Sequence, residues 1–296
     1  MCLRFYRKLV CISFIVMGLT QMVFAQTNQV LVLNGNSGYV AVSSSSYLQP
    51  SNAITVEAWV FPVLGSHPNS FFINKSDGQN ALSQRTYELY CQTPGPNGAG
   101  DGIGFIVFLG SSTYAYGFVP VSTNQWTHFA AVYTSNPGLL NLYTNGVLAS
   151  STSHDAGGVT PLAGLTVRQT TQPLYFGVNL IDFQLGEVNT FAAGYLDEIR
   201  IWGTSRTGIQ IAESRFCRLT GSESSLMAYW NFDGTNAIDL TGHGNSGTFQ
   251  GGAAAVPVTD PDPVHAGVCG APYFDPASLS FHQLLDSIKN YTPQAA

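Results

Sequence analysis

The sequence predicts an all-β protein built as a two-sheet antiparallel sandwich, and three observations predict it. Apolar residues recur at period two nearly throughout, Gly, Ser and Asn turns separate the runs, and a single stretch has helical spacing. Many short alternating strands fit a sandwich and not an α/β enzyme fold.

In chain order, the first element is a leader. Arg4, Arg7 and Lys8 precede the apolar run Leu9 to Leu19, and Val23-Phe-Ala25 offers a small-residue cleavage pattern. Residues 1–25 are expected to be a signal peptide, and the mature chain to be secreted or at the cell surface. The apolar run is shorter than the roughly 20 residues that a spanning helix needs, so no membrane span is expected in the mature chain. Residues 26–250 read as one domain, and 251–296 as a Gly/Pro-rich connector with a short tail.

Strands follow at Gln29–Leu33 and Tyr39–Val42, around the turn-rich break Asn34-Gly-Asn-Ser-Gly38. Ile54–Phe61 is the strongest early strand, and neither of its faces is simply polar, so both are expected to be covered. Further strands read at Ser70–Asn74, Thr86–Cys91, Ile103–Leu109, Tyr114–Val119, Trp126–Tyr133 and Leu139–Tyr143, then at Leu174–Gly177, Tyr195–Trp202 and Leu226–Phe232. Asn145-Gly146 predicts a tight hairpin, because this pair favours left-handed conformations. Ile209–Cys217 predicts a short helix, with Ile209, Ala212 and Phe216 sharing a face.

Charge and cysteine content narrow the partners. The leader removes three of 11 basic residues, leaving eight against 17 acidic ones, a net −9 that argues against nucleic acid. Cys91, Cys217 and Cys269 remain in the mature chain and allow three pairings. The pairing of Cys217 with Cys269 is the candidate disulfide, since it would tie the tail to the core. Spacing alone leaves the other two open.

The central chemical question is Asp197-Glu198 inside the strand Tyr195–Trp202. Strict alternation sends Asp197 to the face of Tyr195, Ile199 and Ile201, and Glu198 to that of Arg200 and Trp202. Two carboxylates on opposite faces cannot share a glycosidic bond as a hydrolase pair must. Glu198 is expected to pair with Arg200. Asp197, among apolar neighbours, needs backbone donors or a cation. Ca²⁺ takes carboxylate, amide and main-chain oxygens, so Asn34 and Gly35 of the first turn are candidate co-ligands with Asp197.

Other polar residues have structural readings. His128 falls on a face with Trp126, Ala130 and Val132, which predicts a packed, hydrogen-bonded histidine. Asp239, Thr241 and Asn245 suit turn capping, and His243 between two glycines is expected to be exposed. Asn74-Lys-Ser76 and Asn290-Tyr-Thr292 match glycosylation acceptors. Tyr87, Tyr90, Tyr114 and Tyr116, near the loop Gln92–Gly102, are the candidate ligand-binding residues.

Five segments carry a family resemblance: Leu31–Val42, Ile54–Val60, Gln125–Tyr133, Leu142–Gly146 and Gly194–Trp202. Their order resembles laminin-G-like, concanavalin A-like jelly-roll domains, including the pentraxin-like modules, over roughly residues 29–216. The resemblance implies a two-sheet jelly roll that binds glycans or extracellular proteins, with a structural calcium in some members. On that analogy Asn34 and Asp197 meet at the ion. The related sandwich glycosidases carry a Glu-x-Asp-x-x-Glu strand, which this sequence lacks. The expected function is a secreted, non-catalytic binding module. The alternatives are a glycoside hydrolase or polysaccharide lyase with an unfamiliar site, and a purely structural surface protein.

Overall fold

The computed structural model describes residues 28–63, 69–76, 84–92, 100–180, 191–258 and 267–268. The leader, residues 93–99 of the Gly/Pro loop, Cys269 and Asn290 lie outside the described residues. The first strands are β1 (Gln29–Asn34), β2 (Tyr39–Val42), β3 (Ala53–Pro62), β4 (Asn69–Lys75), β5 (Tyr87–Gln92) and β6 (Gly102–Leu109). The middle ones are β7 (Thr113–Pro120), β8 (Thr127–Thr134), β9 (Leu139–Thr144), β10 (Val147–Thr152), β11 (Leu174–Phe176) and β12 (Ala193–Trp202). Helix α1 (Gly208–Ser214) precedes β13 (Cys217–Arg218), β14 (Leu226–Trp230), β15 (Gly247–Gln250), β16 (Ala254–Pro257) and β17 (Gly267–Val268).

These strands form the expected all-β, antiparallel two-sheet jelly roll. The first sheet has the order β10-β9-β8-β3-β12-β1-β16, with β14 also on β12; the second runs β15-β2-β11-β4-β5-β6-β7. Alternation along each strand sends one apolar set inward. Ile54, Val56, Ala58 and Val60 of β3 meet Leu89, Ile103, Phe105 and Val107 of the second sheet in one core. Tyr87 belongs to that core and is fully buried, so it lies off the outer face where Tyr90 sits.

Local chemistry explains the turns. Asn145 and Gly146 both have positive φ, 51° and 82°, between the paired Thr144 and Val147, as an Asn-Gly hairpin requires. Helix α1 opens on a capping box: the Thr207 hydroxyl accepts from Gln210 N and the Gln210 side chain accepts from Thr207 N. The helix stops at Ser214, and Cys217 enters β13 instead. Its buried apolar residue is Ile211, while Ile209 is 71% exposed, the reverse of the expected face. The capping box starts the helix at Gly208, and that phase turns Ile211 inward.

The stretch read as a connector carries a strand. β16 pairs antiparallel with β1, Val30 opposite Val256, and extends the first sheet past residue 250. Further on, β17 pairs in parallel with β13, Cys217 opposite Gly267. Cys217 is disulfide-bonded; Cys269, its candidate partner, falls outside the described residues. Among the described residues no helix is long and apolar enough to cross a membrane, a statement that does not bear on β-barrels.

Candidate functional site

Neither outer face of the sandwich is an ordinary polar surface, and the two differ in chemistry. On the first sheet α1 and its flanking segments cover the part of the outer face around Trp59, and beyond that cover Phe61, Trp126 and Tyr195 form a half-buried aromatic trio. Trp59 Nε1 donates to Arg215 O at 2.8 Å, and Thr55 Oγ1 donates to Thr204 O while accepting from Arg206 N. Beneath this cover lie Glu57, His128, Glu198 and Arg200, all buried. Arg200 pairs with Glu198 at 2.5 Å and donates to the carbonyls of Ser214 and Cys217. Tyr229 donates to the same carboxylate at 2.8 Å. Glu57 accepts from Trp202 Nε1 and pairs with Arg206.

The Asp197-Glu198 arrangement departs from strict alternation. Glu198 sits at φ 51°, a left-handed conformation uncommon for a residue with a side chain, and the β12–β3 register shifts between Asp197 and Arg200. This bulge inserts one residue. Leu196, Ile199 and Ile201 therefore all enter the core, and Asp197 and Arg200 lie opposite Trp59 and Glu57 on the outer side. Asp197 thus does not share a face with Ile199 and Ile201. Glu198 does pair with Arg200, as expected.

Asp197 is fully buried. Its Oδ1 accepts from Glu198 N at 2.8 Å, and its Oδ2 from Asn28 Nδ2 at 3.4 Å. Burial pushes its carboxyl well above the ordinary range, and the charge of Glu198 adds to the shift. The calcium ligand set does not assemble around it. Asn34 is opposite Ala193 whereas Leu31 is opposite Leu196, which leaves Asn34 four ladder positions from Asp197, about 13 Å. Asn34 Oδ1 already accepts from the backbone N–H groups of Asn36, Ser37 and Gly38, and its Nδ2 donates to Gly251 O. Gly35 N donates to Ala192 O. Among the described residues no cluster of three or more His, Cys, Asp or Glu could hold a metal.

His128 is packed edge-on against Trp59, but its ring nitrogens make no hydrogen bond; Nε2 stands 3.7 Å from Glu57 Oε2. Burial, helped by the charges of Arg200, Arg215 and Arg206, pushes the imidazole well below its usual value and keeps it neutral. The Asp233–Gly247 stretch is a built turn. Asp239 accepts from Tyr229 N, Thr241 N and Oγ1, and Asn245 N and Nδ2. His243 is half-buried, stacks on Tyr47 at 3.9 Å and contacts Met227 O through Nδ1. A cleft of about 430 Å³ beside this turn is lined by Arg218, Asn231, Asp233 and Leu240. Its charges are already matched, because Arg218 pairs with Asp233 at 2.9 Å and Asp233 accepts from Gln29 N.

The outer face of the second sheet is aromatic. Tyr39, Tyr175, Phe71, Tyr114, Tyr116 and Phe118 are half-buried there, and Tyr90 is 9% exposed. Phe71 is opposite Tyr90, Tyr90 opposite Gly104 and Gly104 opposite Phe118. The Tyr90 ring lies over Gly104, where an added Cβ would stand 2.7 Å from the ring. Glycine is thus required beneath it. Tyr90 stacks on Tyr116 with centroids 6.5 Å apart and 13° between planes, and packs against Phe71 at 5.5 Å with the rings tilted by 37°. Across the sheet, Tyr39 packs against Tyr175 at 6.2 Å and Phe191 at 6.3 Å. Burial raises the phenol pKa of both Tyr90 and Tyr116, so both stay neutral.

Of the four candidate tyrosines, the structure therefore brings Tyr90 and Tyr116 together. Tyr114 lies one row away against Phe108 at 5.6 Å, and Tyr87 is in the core. Sequence reasoning missed Phe71, Tyr39 and Tyr175, which come from strands remote in the chain. Asn74, of the Asn74-Lys-Ser76 motif, is fully buried in β4 between Tyr175 and Glu88.

Residues 34–212 match the family model described as the concanavalin A-like lectin/glucanases superfamily, and the chain belongs to that family. Two solved structures share the fold. A proposed carbohydrate-binding protein from Bacteroides ovatus aligns with TM-score 0.59 and 17% identity, covering 81% of this chain and 62% of its own. The present chain thus spans under two thirds of that protein's length. A heptameric SAP-like pentraxin from Limulus polyphemus aligns with TM-score 0.50 and 13% identity, covering 83% of this chain and 98% of its own. No curated protein matches the sequence.

Proposed function

We propose that this chain is a secreted, non-catalytic binding module that holds carbohydrate on the aromatic outer face of its second sheet. The observation that carries the reading is the Tyr90–Tyr116 stack laid over Gly104 beside Phe71. Flat, neutral rings on a rigid sheet offer apolar faces and hydroxyl tips, the chemistry that a sugar's C–H faces and hydroxyls match. Membership of a lectin/glucanase superfamily supports the same ligand class, although a fold alone does not assign one. The similar Bacteroides ovatus protein carries a proposed carbohydrate-binding role of its own.

The buried acids have another duty. Glu198 and Glu57 are committed to Arg200 and Arg206 under the α1 cover, so they serve as fasteners. Export is supported by the leader pattern and by the disulfide at Cys217, a bond characteristic of oxidising compartments. We assign its partner as Cys269, two residues past the β17 position opposite Cys217.

A glycan array probed with the mature protein, beside the double variant Tyr90→Ala/Tyr116→Ala, tests the reading. Wild type should retain at least one glycan that the variant loses. Binding to no glycan, with capture of an extracellular protein instead, would replace the sugar reading with that of a protein-binding module.

A further inference from the structure

The path of each large sheet ends in two edge strands, and three of those four edges are short or bent. β10 carries a register irregularity between Leu148 and Ser150. β15 and β16 are four residues long, and β16 ends on Pro257. β7 is different. It runs for eight residues, pairs with β6 without irregularity, and carries no charged side chain that would repel a neighbouring strand. β10, packed against β7 across the sandwich, adds Val147 and Leu148 to the same flank, 69% and 52% exposed.

Two hydrogen bonds fix where the main-chain groups of β7 point. Phe108 N donates to Thr86 O at 2.9 Å, so Phe108, Ile106 and Gly104 bond towards β5 and the alternate residues towards β7. Those alternates pair with Thr113, Ala115, Gly117 and Val119. The N–H and C=O groups of Tyr114, Tyr116 and Phe118 therefore point off the sheet. Ala156 N donates to Tyr114 O at 3.1 Å, which agrees with this phase and occupies that carbonyl. Pro120, at the other end, has no N–H. Between these stops, no described residue bonds to the outward groups of Tyr116 and Phe118.

This window is its own complement. Set antiparallel to a second copy about Gly117, Tyr116 lies opposite the partner's Phe118, and Phe118 opposite the partner's Tyr116. Each such pair exchanges two N–H···O bonds, so every free group in the window is satisfied. The blocked positions also match: Tyr114, whose carbonyl is taken, lies opposite the partner's Pro120, which has no N–H to offer it. Gly117 falls on the axis, where strands approach most closely, with Cα atoms about 4.5 Å apart.

We propose that the chain forms a two-fold dimer through β7, the second sheets of two copies joining edge to edge as one continuous sheet. Tyr116 and Phe118 rings meet their symmetry mates on the outer face as cross-strand neighbours. The dimer does not rest on the carbohydrate reading, since its test reads mass and uses no ligand.

Sedimentation velocity on the mature chain tests it, with a charge exchange across the seam. Wild type should sediment as a dimer at micromolar concentration. Tyr116→Lys and Phe118→Glu should each sediment as monomers with unchanged far-ultraviolet circular dichroism, because each brings two like charges to the seam. Mixed in equal amounts they should form a heterodimer, since the pairing sets the new lysine opposite the new glutamate. Tyr116→Pro removes an outward N–H and leaves the β6 ladder whole; it too should be monomeric. A monomeric wild type would overturn the proposal and leave the edge to a foreign strand. Variants that stay dimeric, or a mixture that stays monomeric, would overturn it as well. So would a ring or an open filament, because a two-fold seam closes at two copies.

Discussion

The outer faces of the two sheets meet the same problem in different ways. Each strand of a sandwich has one side in the core, and the other must be wetted, covered or used. The first sheet covers part of its outer side, where α1 and the segments around it seal Glu57, His128, Glu198 and Arg200 from water, and leaves Phe61, Trp126 and Tyr195 half-buried beyond the cover. The second sheet presents aromatic rings over Gly104 and Gly102. The difference teaches that buried charge here marks the fastener, while the proposed function puts the ligand on the aromatic surface of the second sheet.

Breaking the fastener should give the largest effect. Arg200→Met leaves Glu198 buried without its guanidinium partner, and loss of one member of such a pair costs about 3–5 kcal/mol. Chemical denaturation should show that loss. An equally stable Arg200→Met variant would contradict the role given to the α1 cover. Cys217→Ser should cost about 2–4 kcal/mol, and Cys269→Ser should do the same without further loss in the double variant. Additive losses would rule out their pairing.

A smaller effect distinguishes the faces by pH. His128 is held neutral in the folded chain, with its pKa well below the ordinary value near 6.5. The unfolded chain therefore binds an extra proton below that value, and stability should fall as pH drops from about 6.5 towards the folded pKa. His128→Asn should flatten this acid limb in a series of melting curves. Asp197, shifted upward, has the opposite sign: its contribution is complete below the ordinary carboxylate pKa and lost as pH rises through the folded value. Asp197→Asn should therefore become relatively more favourable as pH rises. Tyr116→Ala on the other sheet should leave both limbs unchanged.

The smallest expected effect is that of calcium. Asn34 and Asp197 lie too far apart to share an ion, and Asn34 is saturated by its own turn. A chelator should leave the melting temperature within a degree or so of its starting value, since a ligand stabilises the fold only by binding it. A chelator-sensitive melt would point to a calcium site elsewhere in the chain.

Much of the fold was legible because alternation is local. Ile54 to Phe61, Trp126 to Tyr133 and the Asn145-Gly146 hairpin all read correctly from neighbouring residues. The parity of Tyr87 and Tyr90, three positions apart, also carried a usable signal, since it places them on opposite faces. The bulge at Glu198 was hidden, because nothing in Tyr195–Trp202 marks a left-handed non-glycine residue, and one extra residue inverts every later face assignment. The full aromatic face was hidden for another reason. Phe71, Tyr39 and Tyr175 reach Tyr90 and Tyr116 through a strand order that spans the chain, which local pattern does not encode.

Hydrogen–deuterium exchange during titration with a bound glycan tests the contrast between the faces most directly. The account predicts new protection in β4 to β7 and β11, with exchange at residues 203–219 unchanged. Protection confined to 203–219 and β12, with β4 to β7 unaffected, would contradict it.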